Sequence, residues 1–381
     1  MLLLAPGPVN LHPEVQRILS LPMIHHRTPE FDAIFARARQ GLKRVFGTQE
    51  DVFLLATTGS GGMEALLVNT LSPGDKILVV VSGKFGERWA EMGRVFGLRV
   101  VELNVPWGEA VQPGQVAALL RQEPDIRAVF CQACETSTGV LHPVRELARL
   151  TRDNPDTLLL IDGITAVGAL PMPMDEWGID GLVAGSQKAF MLPTGLSFVS
   201  LSKKAWAFAE KSTLPKYYLD LKRERKANQK GESAYSTPVP LVRALDWVLS
   251  QTLQEGLANL YRDIERRALL TREFARLAGL TLYAKSPSPS LTAFLTPAGV
   301  DSQKIREELE LQHGVTIMGG QDQARGKILR IGHMGYIRDE DMLKLFDLLG
   351  HAFLKAAPAD WSEDKITKIN RALRLWVEAH P

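Results

Sequence analysis

Between residues 52 and 202 the chain alternates short apolar runs with segments of helical character. The runs are "VFLLATT" (52–58), "KILVVVS" (76–82), "RVVELNV" (99–105), "RAVFCQA" (127–133), "TLLLIDG" (157–163), "GLVAGS" (181–186) and "LSFVSLS" (196–202). Most are continuous apolar strings instead of apolar–polar alternations, the pattern of strands covered on both faces. Segments such as "GMEALLVNTLSPGD" and "HPVRELARLTRDNP" lie between them. The alternation predicts an α/β layer built on a mainly parallel sheet of seven strands.

The pattern changes after about residue 205. "KSTLPKYYLDLKRERKANQKGESAYSTPVP" is polar and rich in turn residues, and predicts a long irregular connection. A long helical segment over 253–279 then opens a smaller α/β unit with strands "LTAFLTP" and "KILRIGH" and helices near 301–313 and 339–355. The tail 358–381 predicts one more surface helix. The expected organisation is an N-terminal arm (1–20), a large domain (21–252) and a small C-terminal domain (253–381).

Composition adds exclusions. Of 381 residues, 45% are apolar and 23% charged, and the net charge is +2, so no field for a polyanion is expected and nucleic acid is not an expected partner. "MLLLAPGPVN" lacks the basic start of a signal peptide, and no stretch approaches the roughly 20 apolar residues of a membrane helix. Cys131 and Cys134 form a lone C-x-x-C with no second Cys/His pair to complete a metal site, so no metal is expected. A reducing, cytoplasmic setting fits these thiols.

Ligands of open parallel sheets bind beyond the carboxyl ends of the strands, and that rule selects a short set of residues. "TGSGGMEALL" sets Thr58 to Gly62 before a helix, either as a phosphate-binding start or as a tight turn with a serine cap. Asp162, after "TLLLI", is a helix cap or turn residue, or else a carboxylate for a cationic ring nitrogen. Phe85, in "GKFGERW", is core or a face for a planar ligand. Lys188, in "DGLVAGSQKAFMLPTG" (180–195), is a lone ammonium between two apolar runs, either salt-bridged or a Schiff-base nucleophile. Arg330, in "GKILRIGHMG", faces water or grips a carboxylate with its planar fork. His25-His26-Arg27 lacks metal spacing, leaving surface and substrate-pocket roles open. A phosphate cup, a stacking ring, a carboxylate, a reactive lysine and a separate arginine are jointly what pyridoxal phosphate and an amino-acid substrate require.

The chain resembles the class V aminotransferases of the fold-type-I pyridoxal-phosphate enzymes, nearest the alanine–glyoxylate and serine–pyruvate or serine–glyoxylate branch. The similarity runs through "APGPVN", "HHRTPEF", "GSGGMEALLVNTLSPGD", "ETSTGVLHPV", "LLLIDGITAVGA", "GSQKAFMLPTG" and "KILRIGHMG". The resemblance implies that Lys188 forms the Schiff base with the cofactor and shuttles the proton, that Asp162 holds the pyridine nitrogen and that Phe85 stacks on the ring. Ser60, Gly61, Gly62 and Gln187 would contact the phosphate region and Thr136 the ring hydroxyl. Arg330 would clamp the substrate carboxylate, with Asn10 and His26 on the substrate side. Tyr235 or Thr237 would reach the phosphate of a neighbouring subunit, implying a homodimer with shared sites. Gly62 and Ala133 depart from the residues common in relatives. The implied reaction passes the amino group of alanine or serine to glyoxylate or pyruvate. The alternatives are a ureidoglycine or phosphonate transaminase, a cysteine desulfurase, which needs a cysteine nucleophile late in the chain, or a non-catalytic relative of the same fold.

Overall fold

The computed structural model describes residues 1–380. All seven apolar runs form strands of one sheet: β1 (Val52–Leu55), β2 (Lys76–Val81), β3 (Arg99–Asn104), β4 (Ile126–Gln132), β5 (Leu158–Asp162), β6 (Gly181–Gly185) and β7 (Ser197–Leu201). Their order is β1-β7-β6-β5-β4-β2-β3. Only β7 runs antiparallel to its two neighbours, so the other six strands end along one edge. Successive residues of a strand point to opposite faces, and both faces are buried in every strand but the edge strand β3, whose residues are half-buried or exposed. Leu78, Val80, Val129, Leu159, Ile161 and Leu182 pack in one layer, with Phe31, Phe35 and Leu42 of α1 (Pro29–Phe46). Ile77, Val79, Phe130, Leu158, Leu160 and Val183 pack in the other, with Leu66 of α2 (Gly59–Thr70) and Trp89 of α3 (Lys84–Val95). This double coverage is why the strands read as unbroken apolar strings.

Two expectations change. A short helix, Lys203–Ala209, precedes the expected irregular connection and a second, Leu221–Asn228, lies within it. Asp220 caps the second by accepting from the Lys222 and Arg223 N–H groups, a local signal outweighed in the sequence by the surrounding charge. The helical segment 253–279 is split at Gly256 (φ +93°), which divides α4 (Val239–Glu255) from α5 (Leu257–Ala278).

The C-terminal part contains β8 (Leu291–Leu295), β9 (Met318–Gly319) and β10 (Ile328–Gly332), paired antiparallel in the order β8-β10-β9. They pack with α5, α6 (Ser302–His313), α7 (Asp339–Ala356) and α8 (Glu363–Ala379) around Phe274, Phe294, Phe346 and Phe353. The tail helix α8 buries Ile366, Ile369 and Leu373 in this core, so it is a packed element and not only a surface one. The first residues also join it: Leu2–Leu3 pair in parallel with Val315–Thr316, and Leu4 lies in the same core.

Candidate active site

Lys188 sits in the turn after β6. Ser186 staples that turn, its N–H donating to the Leu196 carbonyl and its hydroxyl to Pro193 O at 2.7 Å. The lysine is buried, and Nζ donates to the Pro6 carbonyl at 2.5 Å. The N-terminal segment can pass over the amine because residue 7 is glycine, at φ +118°, where a Cβ would stand 2.5 Å from Nζ. Burial pushes the amine down to about 8; Cys134 and Asp162 oppose this, while the cations Arg330 and Arg88 add to it. A neutral amine thereby becomes accessible near physiological pH.

Asp162 ends β5, opposite Gln132 of β4 and Val183 of β6. Its Oδ1 accepts from the Ile164 N–H at 2.9 Å, and burial lifts the carboxyl to about 6. Phe85 is the second residue of α3, half-buried, with the Arg88 guanidinium 4.8 Å from its ring centroid. The Thr136 hydroxyl pairs with that of Thr165 at 2.8 Å, and its carbonyl accepts from Arg330 Nη1 at 2.8 Å. Arg330 Nε donates to Gly319 O at 2.9 Å. Nη2 has no protein acceptor among the described residues. Burial lowers this guanidinium to about 10, against the pull of Glu135.

The start of α2 departs by a residue from the expectation. Gly61 and Gly62 both donate their N–H groups to the Thr58 carbonyl, at 2.9 and 3.2 Å. Among the described residues, the Gly59 and Ser60 N–H groups have no protein acceptor. Gly62 instead packs against the sheet, where a Cβ would lie 2.5 Å from Val183 Cγ2. Arg88 Nη1 donates to Ser60 Oγ at 2.9 Å.

Four other candidates are not joined to Lys188 in this chain. Asn10 spends its carboxamide on the Leu3 backbone, accepting from N–H and donating to C=O, both at 3.0 Å. It therefore braces the N-terminal loop. His26 lies in the loop before α1 with its ring 4.5 Å from that of His25. Tyr235 accepts from Arg223 and donates to Tyr217 O. Thr237 pairs with Ser233. Both belong to a surface segment bearing the exposed rings of Tyr217 and Tyr218.

Residues 12–344 match the family described as Aminotransferase class-V. The chain belongs to the class-V aminotransferases. Among curated relatives, the soluble hydrogenase 42 kDa subunit of Anabaena cylindrica is 38% identical over 347 residues, covering 90% of each chain. The L-aspartate–glyoxylate aminotransferase of Paracoccus denitrificans is 36% identical, covering 88% of this chain and 86% of its own. Among solved structures, the alanine–glyoxylate aminotransferase of Nostoc sp. superposes with a TM-score of 0.89 at 30% identity, covering 92% of this chain and 95% of that one. Aminotransferases of this class use pyridoxal phosphate.

The residues present in this class-V aminotransferase fit that cofactor. Gln187 Oε1 is buried with no hydrogen-bond partner, an unmet acceptor that a ligand's donor or a bridging water would satisfy. One oxygen of Asp162 likewise has no protein donor among the described residues, which suits a cationic ring nitrogen. Two residues of the crevice were missed by sequence reasoning. Arg88 lies three positions after Phe85 on α3, on the same side of the helix. Glu135 directly precedes Thr136 in "ETSTG", and its carboxylate turns toward α3.

Proposed function

We propose that this aminotransferase passes the amino group of a small amino acid, alanine or serine, to a short 2-oxo acid, glyoxylate or pyruvate. The observation that carries the reading is the buried Lys188 amine, with Asp162, Arg330 and Arg88 acting on it, Thr136 bonded to Arg330 and Phe85 beneath Arg88. Bound there, pyridoxal phosphate supplies an aldehyde for the lysine and an electron-withdrawing ring. Asp162 would keep the ring nitrogen protonated, the ionised carboxylate gaining the partner its burial lacks. Phe85 would hold the ring by stacking. The Gly59 and Ser60 N–H groups, the Ser60 hydroxyl and Gln187 would take the phosphate, with Arg88 supplying positive charge. Arg330 would hold the substrate carboxylate through Nη2, its other nitrogens being fixed on Gly319 and Thr136. Lys188 then moves a proton from the substrate α-carbon as a general base, and returns one as a general acid.

A small donor suits a lysine over which Pro6 and Gly7 pass closely. Glyoxylate as acceptor accords with the names of the Paracoccus and Nostoc proteins. Aspartate, the donor in the Paracoccus name, is the competing choice, and its second carboxylate would need a second cation. We place Tyr235 and Thr237 at a homodimer interface, in keeping with the exposed Tyr217 and Tyr218 beside them. Cytoplasmic residence accords with the two free, buried cysteines. Burial pushes the Cys134 thiol up to about 11, unlike the exposed thiolate a desulfurase employs.

The test is the visible spectrum of the purified protein, followed by single-turnover additions of L-alanine, L-serine, L-aspartate and L-glutamate. A yellow band that Lys188→Ala lacks, bleached by alanine or serine and restored by glyoxylate or pyruvate, is the expected result. A protein that stays colourless with added pyridoxal phosphate refutes it. Bleaching by aspartate alone refutes the choice of donor.

A further inference from the structure

The first N–H groups of a helix need acceptors from outside it, commonly the side chain of the residue before it. Helix α3, which presents Phe85, is preceded by Gly83, which has no side chain. Its first turn is served by a different part of the chain. Glu135 Oε2 accepts from the Phe85 and Gly86 N–H groups, both at 3.1 Å. Glu135 Oε1 accepts from the Ser137 N–H at 3.1 Å and from the Ser137 hydroxyl at 2.5 Å. That hydroxyl oxygen in turn accepts from the Lys84 N–H at 3.1 Å. The three leading N–H groups of α3 thus all end on Glu135 and Ser137. A Cβ at Gly83 would stand 2.6 Å from Glu135 Cδ, so glycine is what admits the carboxylate.

This arrangement is costly. Glu135 is fully buried, and desolvation lifts its carboxyl to about 7 although four N–H and O–H groups point at it. A cap supplied from position 83 itself would serve the helix alone, and its Cβ would collide with Ser137 and Glu135. It could not tie α3 to the hairpin that carries Thr136, whose carbonyl holds Arg330.

We propose that Glu135 is a positioning residue, capping α3 from outside and thereby fixing the Phe85 ring against which the cofactor lies. The proposal rests on reading the crevice as a pyridoxal-phosphate site. Glutamine at this position keeps the shape but offers one acceptor oxygen and two donors against four donors. The N-terminal turn of α3 then loosens, and the ring with it.

The experiment is equilibrium titration of the apoenzyme with pyridoxal phosphate, read by absorbance and by the circular dichroism induced in the bound cofactor. It is run on the wild type, E135Q, F85A and the double variant. E135Q is expected to weaken binding roughly tenfold, as loss of hydrogen bonds to a charged group does, and to reduce the induced dichroism. In the F85A background the same substitution is expected to cost less than about twofold, because its effect passes through the ring. A merely structural role would cost the same in both backgrounds, and that result overturns the proposal. So does wild-type affinity and dichroism in E135Q. A wild-type protein that binds no cofactor overturns the reading of the site and the proposal with it. Should E135Q not fold, S137A decides: it removes one of the four donors, and a loss present in the wild type but absent in F85A is expected. An equal loss in both overturns the proposal.

Discussion

Asp162→Asn should make the cofactor-free protein more stable at neutral pH and less able to hold pyridoxal phosphate. The carboxyl has an ordinary value of 3.8 and stands at about 6 in the fold, because it is buried with the Ile164 N–H as its one hydrogen-bond donor. At about 1.4 kcal/mol per pH unit, that rise costs the ionised form about 3 kcal/mol. The folded state binds the extra proton between 3.8 and about 6, so stability falls as pH rises through this window and the whole penalty is present above it. Asparagine removes the charge but leaves an amide without an acceptor, which returns about 1 kcal/mol. The net gain is about 2 kcal/mol above pH 6. With about 2.1 cal/mol/K of unfolding entropy per residue, a chain of 381 residues shifts its midpoint by about 2–3 °C. The assay is thermal unfolding of both apoproteins at pH 5 and pH 7.5. The variant should lead by about 2–3 °C at pH 7.5 and keep only about 0.6 kcal/mol of that lead, under about 1 °C, at pH 5. Glu135, also raised by burial, is present in both proteins and cancels in the difference, apart from its coupling to Asp162. Identical midpoints at both values would refute the claim that Asp162 is held at a cost to stability.

Three further outcomes follow from the same geometry. Uptake of pyridoxal phosphate by the apoenzyme should accelerate as pH rises through about 8, where burial places the Lys188 amine; the neutral form attacks, and a profile that rises only near pH 10 would contradict the burial argument. Arg330→Lys should lower kcat/KM roughly 10- to 100-fold, mainly through KM, since an ammonium cannot hold Gly319, Thr136 and a carboxylate in one plane; an unchanged KM would remove Arg330 from the substrate site. Gly62→Ala should cost about 1–3 kcal/mol by overpacking against Val183 and Ser197, seen as a lower unfolding midpoint. An unaltered midpoint would show that this part of α2 can shift.

The sheet was legible because every strand but the edge strand β3 is covered on both faces, and a continuous apolar run of strand length between helical segments fits little besides a buried strand. Lys188, Asp162 and Arg330 stood out in the sequence because each is a polar group that interrupts or ends an apolar run, where it needs a purpose; Phe85 stood out as an aromatic group beyond a strand end, and Thr136 only through the family resemblance. The start of α2 was read less well. A glycine cluster before a helix suits both anion binding and close packing, and only the register of the helix separates Gly59 and Ser60 from the packing glycine Gly62. Asn10 and His26 stand in motifs, but a motif does not say whether a side chain faces a ligand or braces its own loop. Glu135 and Arg88 escaped because the contacts that join them to the site, with the start of α3 and with Ser60, reach across to other elements. Nothing local marks a glutamate that caps a helix about 50 positions away.

The ionisable groups of the crevice form a pattern that explains why so many are tolerated in one place. Burial lifts the carboxyls of Asp162 and Glu135 and lowers the cations Lys188 and Arg330, so each is biased toward its neutral form. Their mutual attraction works the other way. Asp162 supports the charge on Lys188, and Glu135 that on Arg330. Asp162 with Lys188, and Glu135 with Arg330, are thus two incompletely neutralised pairs with no direct salt bridge among the described residues, and the exposed Arg88 lies beside Phe85 and Ser60. Each pair retains capacity for one more partner: Asp162 for a ring cation, Arg330 for a carboxylate through Nη2. A site that satisfied itself fully would be more stable and would bind less. The cost in stability and the capacity for cofactor and substrate therefore arise from the same unmade contacts, so substitutions that relieve one should weaken the other.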